Sequence, residues 1–114
     1  MMLGGLSFSD LDEADLVRVT DNHDREQARV TDPTRIAAAA RWLDERADRF
    51  ETPRAEPRIM TLRLNFSHAG SALGSVGLGR RYLTAQRWGG FYQCDALPDE
   101  RAELMELLGV PDPD

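Results

Sequence analysis

Ile59-Met60-Thr61-Leu62-Arg63-Leu64-Asn65-Phe66 is the stretch that decides the fold. From Met60 onward, every second side chain is large and apolar. Thr61, Arg63 and Asn65 fill the positions between. Successive side chains of an extended chain leave on opposite faces, so a period of two predicts a strand with one face on the core. Such a strand needs neighbours and a covering layer, and both are legible on either side of it.

Upstream, Val17 and Val19 alternate with Arg18 and Thr20, and Ala28 and Val30 alternate with Arg29 and Thr31. Asp21-Asn22-His23-Asp24 lies between them. These short polar side chains bond their own backbone and make a turn, so residues 15–31 read as a hairpin. Asp32 is placed to cap a helix, and Pro33 fits its first position, where a missing amide costs nothing. Ile36, Ala40, Leu43, Ala47 and Phe50 then recur at spacings of three and four. That stripe predicts one long amphipathic helix, ended by Pro53, with Trp42 closing one edge of the core.

Downstream, Ser67-His68-Ala69-Gly70-Ser71 reads as a turn. Residues 72–78 read as a strand interrupted by Gly74 and Gly77. In residues 80–87, Tyr82 and Thr84 favour a strand while Leu83, Ala85 and Gln86 tolerate a helix. The hairpin-like tip Trp88-Gly89-Gly90-Phe91 selects the strand, with residues 91–94 returning. Pro98 opens a second, shorter helix that carries Leu104, Leu107 and Leu108 and stops at Gly109.

The order is ββαβββ(β)α. It predicts an α+β two-layer sandwich with an antiparallel sheet of about five strands, one long helix and a short C-terminal helix. Residues 1–13, with Gly4-Gly5 and crowded acids, read as a flexible arm. Residues 14–109 read as one domain and 110–114 as a frayed tail. The 114 residues suit a single domain. At 41% apolar and 30% charged, the composition is that of a globular rather than a disordered chain. No apolar run approaches the roughly 18 residues of a membrane helix, and the first ten residues lack the basic region of a signal peptide. A single cysteine, Cys94, cannot form an internal disulfide, and it reads as a small buried hydrophobe. The expectation is a soluble cytoplasmic chain with no membrane partner.

Charge is the main functional signal. Residues 57–94 contain no Asp or Glu and carry five arginines: Arg58, Arg63, Arg80, Arg81 and Arg87. The remaining nine arginines share the rest of the chain with all twenty acids, so the net charge of −6 divides into about +5 and −11. Local potential steers a partner to a surface more than the total does. Arg80, Arg81, Tyr82, Arg87, Trp88 and Tyr92 are therefore the candidate contact residues for a ligand or partner. On an extended strand Arg80 and Arg81 leave on opposite faces, which puts one of them at the helix-covered side. There it needs an acid such as Glu45, Asp48, Glu51, Glu103 or Glu106.

Gly74-Ser75-Val76-Gly77-Leu78-Gly79, followed by Arg80-Arg81-Tyr82-Leu83, resembles the pyrophosphate turn of acyl-CoA-dependent N-acetyltransferases. In that family a Gln/Arg-x-x-Gly-x-Gly turn joins a strand to a helix whose backbone amides bind phosphate. Gly77 and Gly79 stand at the two glycines, and Gly74 stands where Gln or Arg belongs. The resemblance implies a transferase. The residues themselves show no paired cysteines, no metal spacing of histidines around His23 or His68, and no nucleophile elbow.

The leading expectation is a non-enzymatic domain without cofactor or metal that acts through another protein, as inhibitors, immunity-type proteins and accessory subunits do. A binder of anionic ligands or single-stranded nucleic acid through the arginine and aromatic block is the alternative. The transferase-like turn is the third reading.

Overall fold

The computed structural model describes residues 7–52, 60–87 and 90–111. Six strands and two helices make an α+β fold. They are β1 (Leu16–Asp21), β2 (Glu26–Val30), α1 (Pro33–Asp44), β3 (Leu62–His68), β4 (Ser71–Leu78), β5 (Tyr82–Arg87), β6 (Gly90–Asp95) and α2 (Pro98–Leu108). The sheet order is β2-β1-β3-β4-β5-β6, and every pairing is antiparallel. The chain leaves β2 at one edge, forms α1, and re-enters the sheet beside β1, so Val19 faces Leu64 and Arg18 faces Asn65.

Alternation sorts the side chains. Val17, Val19, Leu62, Leu64, Phe66, Val76, Leu78, Leu83 and Ala85 are buried on one face. They share a single core with Ile36, Ala39, Ala40 and Leu43 of α1 and with Leu104, Met105 and Leu108 of α2. The Asp32 side chain accepts a hydrogen bond of 2.9 Å from the Thr34 amide, the expected cap of α1. Asp32→Ala should lower the unfolding free energy by about 1 kcal/mol in a urea titration, with the slope unchanged. Gly109 ends α2 at φ 72°, a left-handed conformation that glycine adopts without a Cβ clash.

Two expectations need correction. The stripe predicted through Phe50 is not one helix: α1 ends at Asp44, and a 3-10 turn at Ala47–Arg49 follows. Ala47 and Phe50 remain buried because that turn carries their side chains back to the core. The N-terminal arm is folded from Ser7 onward. A 3-10 helix spans Ser9–Glu13, and both Phe8 and Leu11 are 0% exposed. The Phe8 ring meets Phe50 edge-on at 5.1 Å, and the Phe8 amide donates to Asp44 at 2.9 Å.

Arg87, the last residue of β5, secures this segment. It shares the inward parity of Leu83 and Ala85 and is 1% exposed. Its guanidinium donates to the Ser7 carbonyl at 3.1 Å and to Asp10 Oδ2 at 2.5 Å. The space for it comes from Gly74 on β4, where a Cβ would fall 2.6 Å from Arg87 Cδ.

The two sheet edges are treated differently. At β6, Glu51 and Gln93 exchange two backbone hydrogen bonds of 2.8 Å. At β2, Arg18 and Arg29 stand opposite one another, with the Glu26 carboxylate between them at 2.8 and 2.9 Å. No helix among the described residues is long and apolar enough to cross a membrane.

Candidate functional site: the uncovered face of the sheet

Both helices cover one face of the sheet, and the side chains of opposite parity define the other. On β1 these are Leu16, Arg18 and Thr20. On β3 they are Arg63, Asn65 and Ser67, and on β4 Ala72, Ser75 and Gly77. Met60 folds over one end of this face. Thr84 Oγ1 lies 2.9 Å from its sulfur, and a Cβ at Gly77 would collide with it. The other end is an open groove of about 630 Å³, lined by Leu16, Arg18, Arg63, Asn65, Leu73, Ser75 and Gln86 among others.

The register gives the groove a direction. Leu16 faces Ser67, Arg18 faces Asn65, and Thr20 faces Arg63. A bulge in β4 sets Gly74 against Phe66 and Ala72 against Ser67, which leaves Leu73 as the extra residue. Bulges re-aim a side chain, and here Leu73 packs against the core while also lining the groove end near Leu16. The middle is polar. Asn65 Nδ2 donates to the Arg18 carbonyl at 3.1 Å and to Thr20 Oγ1 at 3.2 Å, leaving its own carbonyl free to accept. Arg63 marks the far end and has no ion-pair partner among the described residues. Among the described residues no carboxylate lines the groove. The nearest acid on this face is Glu26 on the edge strand, already held by Arg18 and Arg29, which keep its pKa below the ordinary carboxylate value.

Of the six sequence candidates, Arg87 lines the groove from its inner end, and Arg80, Arg81, Tyr82 and Tyr92 are not among its lining residues. Arg80 and Arg81 are exposed in the β4–β5 connection, not on a strand. Tyr82 begins β5 half-buried, with its ring against Gly79. Arg87 is buried on the helix-covered side with Asp10, so the inward arginine is neither Arg80 nor Arg81, and its acid comes from the N-terminal segment. Tyr92 is half-buried against the core from β6. Trp88 lies outside the described residues. Beyond Gly79 the chain enters β5 rather than a helix, so the glycines that resemble the acyl-CoA turn meet no helix N-terminus. Strand parity held the signal for the groove: Val17, Val19, Leu62 and Leu64 face inward, which turns Arg18, Arg63 and Asn65 outward. What parity omits is that β1 and β3 are neighbours.

Remaining ionisable groups serve the fold. His23 is exposed in the β1–β2 turn, and His68 Nδ1 lies 2.8 Å from the Glu13 carbonyl. Burial pushes the Cys94 thiol up to about 11, so it stays protonated at neutral pH. Among the described residues no group of three His, Cys, Asp or Glu could hold a metal.

On the helix side, Glu100 joins α2 to the end of α1. It accepts from Arg49 at 2.7 and 2.9 Å, from Arg46 at 2.9 Å and from the Leu97 amide at 3.0 Å. Arg46 also stacks over Trp42 at 3.7 Å, and the Trp42 indole donates to Glu103. The Arg49 bonds, ahead of the others, bring the Glu100 pKa down to about 2. A depressed carboxylate contributes stability above its unfolded pKa and loses it as pH falls through the folded value. The contribution should be full above about pH 4.5 and should fade towards pH 2. Glu100→Gln should cost about 1–3 kcal/mol at pH 7 and show a shallower loss of thermal stability between those pH values than the parent.

Comparison with family models, with curated proteins and with solved structures finds no match to this chain.

Proposed function

We propose that this chain is a small non-enzymatic domain that acts by binding another protein through the uncovered face of its sheet. The observation that carries the reading is the groove between Leu16 and Arg63: cationic and neutral, without a carboxylate, in a chain of net charge −6. Charge set apart in this way selects a partner and speeds encounter. Six strands about 4.8 Å apart and six residues long give a face of roughly 25 by 20 Å, about 500 Å², the scale of a small, transient interface rather than the ~800 Å² per partner of a standard one. Nucleic-acid binding fits less well. It would need arginines and rings together, whereas Arg87 is buried and Tyr82 and Tyr92 stand on opposite sides of the sheet.

The test compares capture by the parent chain with capture by two folded variants. A protein held by the parent and by Arg41→Glu, on the outer face of α1, but lost with Arg63→Glu supports the proposal. Loss with Arg41→Glu alone sinks it. So does single-stranded DNA binding that survives about 0.2 M salt and is abolished by Arg63→Glu.

A further inference from the structure

The uncovered face asks for a partner of particular shape and charge. An extended peptide lying flat on a sheet leaves its own backbone groups unpaired, whereas a helix brings them already satisfied. Along β1, Leu16 and Arg18 are two residues apart, roughly 7 Å; along β3, Ser67 and Arg63 are four apart, roughly 13 Å. Side chains four and eight residues along one helix face stand about 6 and 12 Å from the first. The groove therefore has an aliphatic end at Leu16 and the core-packed Leu73, the Arg18 guanidinium, whose Nε is held by Glu26, beside the Asn65 amide oxygen, and Arg63, which has no ion-pair partner among the described residues.

Resting on the protein-contact reading, we infer that the occupant is an acidic amphipathic helix of a different protein. It places an aliphatic side chain between Leu16 and Leu73 and carboxylates four and eight residues further on, against Arg18 and Arg63. Arg63 gains the ion-pair partner it lacks among the described residues, and a planar guanidinium suits a carboxylate held bidentately. A second copy of this chain fits less well. Its outward helix acids Asp99, Glu103 and Glu106 are not accompanied by an exposed aliphatic residue at the required spacing, and two chains of net charge −6 repel.

The probe is an alanine-based stapled helix of about 15 residues, with one leucine and glutamates four and eight residues later. A second peptide has both glutamates replaced by glutamine. Amide shifts of the whole chain are followed by NMR during titration at low salt. The expected result is perturbation centred on Arg18, Arg63, Asn65 and Leu73, with binding about tenfold weaker for the glutamine peptide and about tenfold weaker again for Arg63→Gln. Arg18→Gln, which leaves Arg63 in place, should weaken binding to the glutamate peptide and confirm the shared site.

Equal binding of the two peptides overturns the inference, as do shifts confined to α1 and α2. Shifts of the same amides on concentrating the chain alone also overturn it, because they make a second copy the occupant. If the peptide fails while Arg63→Glu still abolishes capture of a protein, the helix is wrong and the face stands. If both fail, the face is not a protein site.

Discussion

Denaturation of Asp10→Ala should show the unfolding free energy lowered by about 3–5 kcal/mol, a large share of what a small domain has. The substitution touches a half-exposed side chain near the N-terminus, where little effect would ordinarily be expected. Its force comes from the other half of the pair. The Arg87 guanidinium is buried on the core side of β5, and Asp10 is a carboxylate paired with it, beside the Ser7 carbonyl. Removing one partner of a buried pair leaves a charge in a medium that solvates it poorly. Replacing both with apolar groups is far milder, so adding Arg87→Met to Asp10→Ala should recover most of the loss. Protease sensitivity gives a second reading. With the clasp gone, the segment holding Phe8 and Leu11 should open and be cleaved before the sheet unfolds. A single-variant loss below about 1 kcal/mol would mean that the ion pair does not hold this segment.

Leu43→Ala should cost about 2–5 kcal/mol. Leu43 is 0% exposed on the inner stripe of α1, and Leu62, opposite in the core, is 1% exposed on β3. A truncation there loses the transfer energy of the removed methyls and leaves a void that helix and sheet cannot both close. Leu62→Ala should fall in the same range. The test is a shift in denaturation midpoint at constant slope. A cost near zero for either would mean that helix and sheet do not share one core.

Much of this fold was legible because local patterns and long-range packing agree. Met60 to Phe66 alternated, Asp32-Pro33 announced a helix start, and Trp88-Gly89-Gly90 announced a turn, and β3, α1 and the β5–β6 pair are found at those places. The length of α1 was misread for a physical reason. A 3-10 turn after Arg46 returns Ala47 and Phe50 to the core, so the apolar recurrence continues after the helix has stopped. Phe8 and Leu11, three apart, are stacked by a 3-10 helix too short to leave a periodic trace among crowded acids. Arg87 was read as a surface charge although Leu83 and Ala85 share its parity. Composition separates a charge-rich stretch from an apolar one, but the direction of a single arginine depends on its strand. The groove was hidden more deeply, because Arg18 and Arg63 lie on strands that become neighbours only after the chain has passed through α1.

A six-stranded sheet ends in two rows of unspent hydrogen bonds, and each invites another chain to add a strand. One row is partly used within the molecule, where Glu51 pairs with Gln93. The other, β2, is only five residues long and carries Glu26 ion-paired with both Arg18 and Arg29, so an incoming strand would have to break ion pairs and desolvate charges. The arrangement guards the sheet against growing sideways into fibres. Exchanging Glu26 and Arg29 for threonine would keep the strand's shape and remove that guard, leaving an edge on which copies of the chain can stack.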